Sequence, residues 1–259
     1  NVDGLLHFLD VLNHGDASQL ETVLDVASAI KYVALNALLV NQDSYSGNGH
    51  NYYLYERDGV YTLLPWDMNE AFGNFRCGCS QQEIVEFLIH EPTCGLLEGK
   101  PVIDRILGDS AFKAQYDATL EEMVTGPFSP QNMADRIVAL DGMIGPFVEA
   151  DPTAFFGYQV YQNAVSLTPD GQSQGGGGQA MPLMSFVTQR VEHILAQLDG
   201  SQASTLNGEG NCDGQGPGEG GQPGGPPDGP PGDGEQKCPD GICDAFEQAN
   251  PGACPEDCD

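Results

Sequence analysis

Three features of the 259-residue sequence predict an α+β, mainly helical fold organised around one β-hairpin. Apolar residues recur every three to four positions over most of residues 1–199, the period of helices with one buried face. One stretch breaks that period. Residues 52–55 and 60–64 are rich in β-branched and aromatic side chains, and they flank Asp58-Gly59, a dipeptide suited to the φ > 0 positions of a two-residue hairpin turn. Four of the eight cysteines fall after position 237, which predicts a small disulfide-rich module at the C-terminus.

Taken in order, residues 4–13 read as a helix through Leu5, Phe8, Leu9 and Leu12, ending near Gly15. Ser18 with Glu21 has the spacing of a capping box and marks a second helix start. Residues 25–40 carry Val26, Ile30, Val33, Ala37 and Val40 at helical spacing, which predicts a buried helix delivering Asp43, with Lys31 on its solvent side. After the hairpin, Pro101 opens a short helix and residues 110–124 form an amphipathic one. Ser129-Pro130 pairs an N-cap with a first-turn proline. Pro146 is expected to kink or interrupt that helix, and Asp151-Pro152 to start another. Residues 181–198 close the domain, with Arg190 expected to pair with an acidic neighbour.

The hairpin has a chemical consequence. Residues just before its first strand and just after its second must lie side by side, so the 43–51 loop meets Asp67 and Asn69. Oxygen donors then converge with little basic charge nearby, and a hard divalent cation, Mg²⁺ or Mn²⁺, suits such a set. The order is also that of protein kinases in general form: an Asp and a downstream Asn before a hairpin, a metal-binding Asp after it. Trp66 is expected to pack beneath the site and hold Asp67 rigid. Tyr45 and Tyr52 read as packing residues, and Gly73 as a position needing flexibility or φ > 0.

The run DSYSGNGHNYYLYERDGVYTLLPWDMNEAFG resembles the CotH family of atypical secreted kinases. KPVIDRIL, GPFSPQNMADRIVALDGMIGPFVEAD and MPLMSFVTQRVEHILAQL follow in matching order, so the resemblance covers roughly residues 1–199. It implies a protein-kinase-like C-lobe whose hairpin carries the metal site, and ATP-dependent phosphoryl transfer to Ser or Thr of secreted or surface proteins. By resemblance Asp43 is the catalytic-loop acid, Asn51 the second metal ligand and Asp67 the principal one. Asn69 assists Asp67, and His50 holds the loop or contacts a phosphate of ATP. The family's nucleotide-clamping Lys belongs to a preceding lobe without counterpart here. The chain opens with neither Met nor a leader, so we expect a processed or absent N-terminal portion and a fragment inactive without that lobe.

Composition narrows the alternatives. With 38 acidic and 9 basic side chains, net charge −29, the chain lacks the basic patches that nucleic acid or an anionic membrane requires. No apolar run approaches the ~18–20 residues of a membrane span. Eight cysteines point to an oxidising compartment, hence a secreted or surface location. Cys77, Cys79, His90 and Cys94 admit two readings: disulfides, with Cys212 as a further partner, or a zinc site. We place a CotH-like domain at 1–200, a Gly/Pro-rich acidic spacer at 201–237 and the Cys-rich module at 238–259. That module's Asp and Glu residues also offer oxygens to a Ca²⁺ ion. The competing function is a non-catalytic secreted pseudokinase with a disulfide-rich tail. A glycosidase is disfavoured, since no paired acid and base in a sugar cleft can be placed.

Overall fold

The computed structural model describes residues 2–154, 156–168, 181–206 and 211–212. The Gly-rich stretch of sequence at 171–180 and the Cys-rich module lie outside the described residues.

Helices α1 (Val2–His14), α2 (Ala17–Val23) and α3 (Val26–Leu39) precede the hairpin of β1 (Tyr52–Arg57) and β2 (Val60–Pro65). Helices α4 (Gln81–Val85), α5 (Pro101–Gly108), α6 (Ser110–Thr125), α7 (Pro130–Ala150), α8 (Tyr158–Ala164) and α9 (Leu183–Leu198) follow, with a 3-10 turn at Leu97–Gly99. Helix α3 is the central element, packing against α5, α6 and β2, while α9 packs against α4, α6 and α7. Ala29, Val33, Ala34 and Ala37 on α3 are fully buried and meet a core that includes Ile103, Ile106, Tyr116 and Phe186. None of the helices among the described residues is long and apolar enough to cross a membrane.

The hairpin forms as its turn chemistry dictates. Arg57 pairs with Val60 and Tyr52 with Pro65. Asp58 and Gly59 take φ of +55° and +83°, the left-handed pair a two-residue turn needs. One face of β2 is buried through Tyr61 and Leu63, with Tyr61 stacked on Phe8 at 4.5 Å, whereas Tyr53, Tyr55 and Leu64 are exposed. Leu24 bridges Tyr61, and the Asp25 amide donates to the Tyr61 carbonyl at 2.9 Å, so the hairpin is anchored where α2 passes into α3.

Several sequence expectations are corrected. The capping box of α2 is built by Asp16 and Gln19, not Ser18 and Glu21; Asp16 precedes the helix by one residue and its carboxylate reaches the Gln19 amide. Helix α7 runs through Pro146 as one element, so of the two expected effects the interruption does not occur. Pro146 and Gly142, whose carbonyl loses its partner, are both solvent-exposed, so that carbonyl is open to solvent. Asp151 ends α7 instead of opening a helix: its carboxylate turns back to the Thr153 amide at 2.8 Å, and the next helix starts after Gly157. Trp66 is 57% exposed and stands edge-on to Tyr53, so it does not lie beneath the site.

Among the described residues Arg190 has no acidic partner. It is fully buried, and its guanidinium donates to the carbonyls of Ala37, Leu38, Val85 and Phe87 at 2.6–3.3 Å. Burial pushes its pKa down to about 9, which still leaves it cationic at neutral pH. A cation against the last carbonyls of α3 satisfies orphan acceptors and opposes the helix dipole.

The zinc reading also fails. Cys77 is bonded to Cys94, and Cys79 to Cys212. His90 instead accepts or donates at 2.8 Å to Ser204 Oγ, 2.7 Å to Asp117 Oδ1 and 2.8 Å to Lys113 Nζ. Residues 201–206 and 211–212, the first part of the expected spacer, run back along 88–94. The Asn211 side chain accepts from the Leu88 amide at 3.0 Å and donates to the Glu91 carbonyl at 2.5 Å.

Candidate functional site

The site is built from two loops held at the open end of the hairpin. The first begins where α3 stops. Val40, fully buried, takes φ +45° and ψ +49°, a conformation costly for a β-branched residue. The cost is offset by its burial and by Arg190, which fixes the Ala37 and Leu38 carbonyls one turn earlier. This abrupt exit points residues 41–43 away from the helix axis. The loop then folds on itself: the Asn48 amide donates to the Gln42 carbonyl at 3.0 Å, and Gly49 to Ser44 at 2.9 Å. A Cβ on Gly47 would come within 1.8 Å of the Gln42 carbonyl oxygen, so only glycine closes this turn.

Within that loop Asp43 is half-buried and restrained from three sides. Asn48 Nδ2 donates to its Oδ1 at 3.0 Å, Asn51 Nδ2 to its Oδ2 at 2.8 Å, and His50 Nε2 lies 3.3 Å from Oδ1. The Asn51 amide also reaches the Asp43 backbone carbonyl at 2.8 Å. Both bonds use the nitrogen, so the amide oxygen is left to accept a hydrogen bond or to coordinate a cation.

The second loop is joined to the first by the hairpin ladder and by one side chain. Beyond Tyr52↔Pro65, the Trp66 amide donates to the Asn51 carbonyl at 3.1 Å, so Asp67 follows immediately on the residue opposite Asn51. Asn41 Nδ2 reaches Met68 Sδ at 3.3 Å. Asn51 and Asp67 have φ of +54° and +45°, as does Phe72 at +62°. Non-glycine residues in the left-handed region carry strain of order 1–3 kcal/mol and cluster at functional sites. Gly73 has φ +66°, as anticipated, and its Cβ would meet Ile84 Cγ2 at 2.2 Å.

Asp43, Asn51 and Asp67 are thus brought to one end of the hairpin, with His50 beside Asp43. Asn69 is exposed, and no hydrogen bond ties it to the others. Tyr45 and Tyr52 pack edge to face at 5.2 Å, as a packing role requires. Three contributors escaped the sequence reading. Glu70 is half-buried; burial pushes its carboxyl pKa up, and the charges of Asp43 and then Asp67 raise it further against a hydrogen bond from Asn74. Its sequence signal was present: an acid three residues after Asp67 in the same loop. Asn48, five residues after Asp43, has no sequence signal that sets it apart from the other polar residues of the loop. Lys100 comes from the start of α5, with Nζ donating to the Gly47 carbonyl at 2.6 Å and lying 5.7 Å from the Tyr45 ring centroid. Nothing in the local sequence links Lys100 to residue 47.

The donor chemistry here suits a hard cation: carboxylates that repel one another and a free amide oxygen. The geometry is not closed, for no group of three or more His, Cys, Asp or Glu side chains among the described residues forms a metal-holding set. Any cation would therefore draw on Asn51, on water or on phosphate oxygens to complete its shell.

Two comparisons bear on this geometry. The sequence model of the family described as CotH kinase protein matches residues 2–192. The inner spore coat protein H of Bacillus subtilis (strain 168) is 29% identical over 125 residues, which is 47% of this chain and 32% of that protein. The aligned part thus spans about a third of the relative's length.

Proposed function

Because the chain belongs to the CotH kinase protein family, we propose that it carries the catalytic and metal-binding part of an ATP-dependent phosphoryltransferase acting on Ser or Thr of secreted or surface proteins. The observation that carries this reading is the run of contacts from Asp43 through Asn51 to Trp66 and Asp67, which joins a restrained acid to a strained, exposed one.

In this reading Asp43 accepts the proton of the attacking hydroxyl. Its carboxylate rotamer is already set by Asn48 and Asn51, so the acceptor meets an oriented base without reorganisation. Asn51 and Asp67 would hold Mg²⁺ or Mn²⁺ with Asn69 assisting Asp67, and His50 would contact a phosphate of ATP. The cation, when bound, neutralises charge on the phosphate oxygens. Lys100 holds the loop that carries Asn48. A surface or extracellular location is supported by the spore-coat relative and by two disulfides, which persist in oxidising compartments. A Ca²⁺ ion in the Cys-rich module remains part of the proposal.

The experiment is transfer of the γ-phosphate of ATP to a Ser/Thr acceptor protein by the full-length protein with Mn²⁺ or Mg²⁺. Asp43→Ala and Asp67→Ala are each expected to lower the rate by on the order of 10²-fold or more. A rate unchanged by Asp67→Ala would refute the assignment. The second reading, a non-catalytic surface protein, is favoured by the open arrangement of the acids. It predicts no transfer at all, with secretion and folding intact.

A further inference from the structure

Helix α7 is 21 residues long, about 30 Å, and the described residues pack on one side of it only. Ile137 and Gly145 are buried on that side, where α7 meets α9 and α8. A second face is apolar and uncovered by described residues: Leu140, Met143, Ile144 and Phe147 are all exposed, Phe147 at 76%. At 100° per residue these four fall on one stripe, and so do Arg136 and Asp151 at its two ends. Asp135 and Glu149 lie well off it.

The order of this stripe reads the same from either end. From Arg136 the steps are four, three, one, three and four residues, so the pattern is symmetric about a point between Met143 and Ile144. A two-fold axis through that point, perpendicular to the helix, sets Leu140 against Phe147 of a second copy and Met143 against Ile144. It sets Arg136 against Asp151 at both ends. Self-complementarity of this kind is what an isologous dimer requires. The charges agree. Arg136 joins none of the ion pairs among the described residues. Asp151 spends one carboxylate oxygen on Thr153 and leaves the other uncommitted. Arg136 would also sit beside the C-terminal, electronegative end of the opposing helix.

We propose that this chain self-associates through α7, as an antiparallel helix pair with Leu140, Met143, Ile144 and Phe147 at its centre and Arg136–Asp151 pairs at its ends. The net charge of −29 opposes association, so the dimer should tighten as salt rises from low to physiological strength and the general repulsion is screened.

Sedimentation velocity of the full chain over a range of concentrations, at about 0.15 M salt, tests it. A monomer–dimer equilibrium is expected. Phe147→Asp should weaken it by about tenfold or more while leaving the helical circular dichroism unchanged, since the side chain is exposed. Arg136→Asp and Asp151→Arg should each weaken it, and the two together should restore it, because the pairs are then reversed in sign. A chain that stays monomeric throughout overturns the proposal. So does a dimer indifferent to Phe147→Asp, or single charge reversals that weaken the dimer but fail to rescue one another. None of these outcomes depends on phosphoryl transfer.

Discussion

Asn51 does two things that can be separated. Its backbone takes φ +54°, and its amide holds Asp43. Asn51→Gly keeps the backbone at ease and removes the amide, so stability in urea should change little while phosphoryl transfer falls about 10- to 100-fold, the usual cost of losing a residue that orients a functional group. Asn51→Ala should lose the same activity and a further ~1 kcal/mol of stability from left-handed strain. Equal stability of the two variants would show that the strain is not there. Arg190 is the residue the sequence disguised. A lone Arg in an apolar helical stripe reads as a surface charge seeking a carboxylate, because sequence reports charge and not burial. In the fold it serves four carbonyls that come from two separate segments, 37–38 and 85–87. Arg190→Met should cost at least about 3 kcal/mol in chemical denaturation, since several buried acceptors lose their donor at once.

At the scale of elements, the segment after α9 is held to 88–94 by the Asn211 side chain and by the His90–Ser204 bond, and to Cys79 by a disulfide. Burial by itself would raise the Asp117 carboxyl pKa, but hydrogen bonds from His90 and Lys113 and their charges hold it below the ordinary carboxylate value. A group with a depressed folded pKa stabilises the fold fully above its unfolded value, about 3.9, and loses that contribution as pH falls through the folded value. The stability gap between wild type and Asp117→Asn should therefore be constant at neutral pH and shrink on acidification below about pH 4, as followed by thermal melts. The two disulfides should also differ. Cys79–Cys212 spans 133 residues and Cys77–Cys94 spans 17, so loop entropy assigns the first roughly 4–5 kcal/mol and the second about 3. Paired Cys→Ser variants of the first should have the lower denaturation midpoint. The sequence brought Cys94 and Cys212 into the discussion by count and spacing, but the fold alone could pair them. Helix starts were misplaced where a neighbour competed for the cap: Asp16 outbids Ser18, and Asp151 bonds Thr153.

Across the whole molecule, what could be read in advance was what depends on neighbours in sequence. Asp58-Gly59 determines the turn, the turn determines the register, and the register places Asn51 opposite Trp66 and so beside Asp67. What could not be read depends on distant packing: the exposure of Trp66, the reach of Lys100 to Gly47, and the half-burial of Glu70 between two other acids. The same limit applied to the uncovered face of α7, whose spacing is visible in sequence only once its buried side is known. The account rests on a cation held between Asn51 and Asp67, next to Asp43. Paramagnetic broadening of backbone amide signals by substoichiometric Mn²⁺ measures that directly. The expected result is loss of the amides around Asn51 and Asp67 before others in the described fold, abolished by Asp67→Asn. Sharp signals at both positions, or broadening that persists in Asp67→Asn, would contradict it.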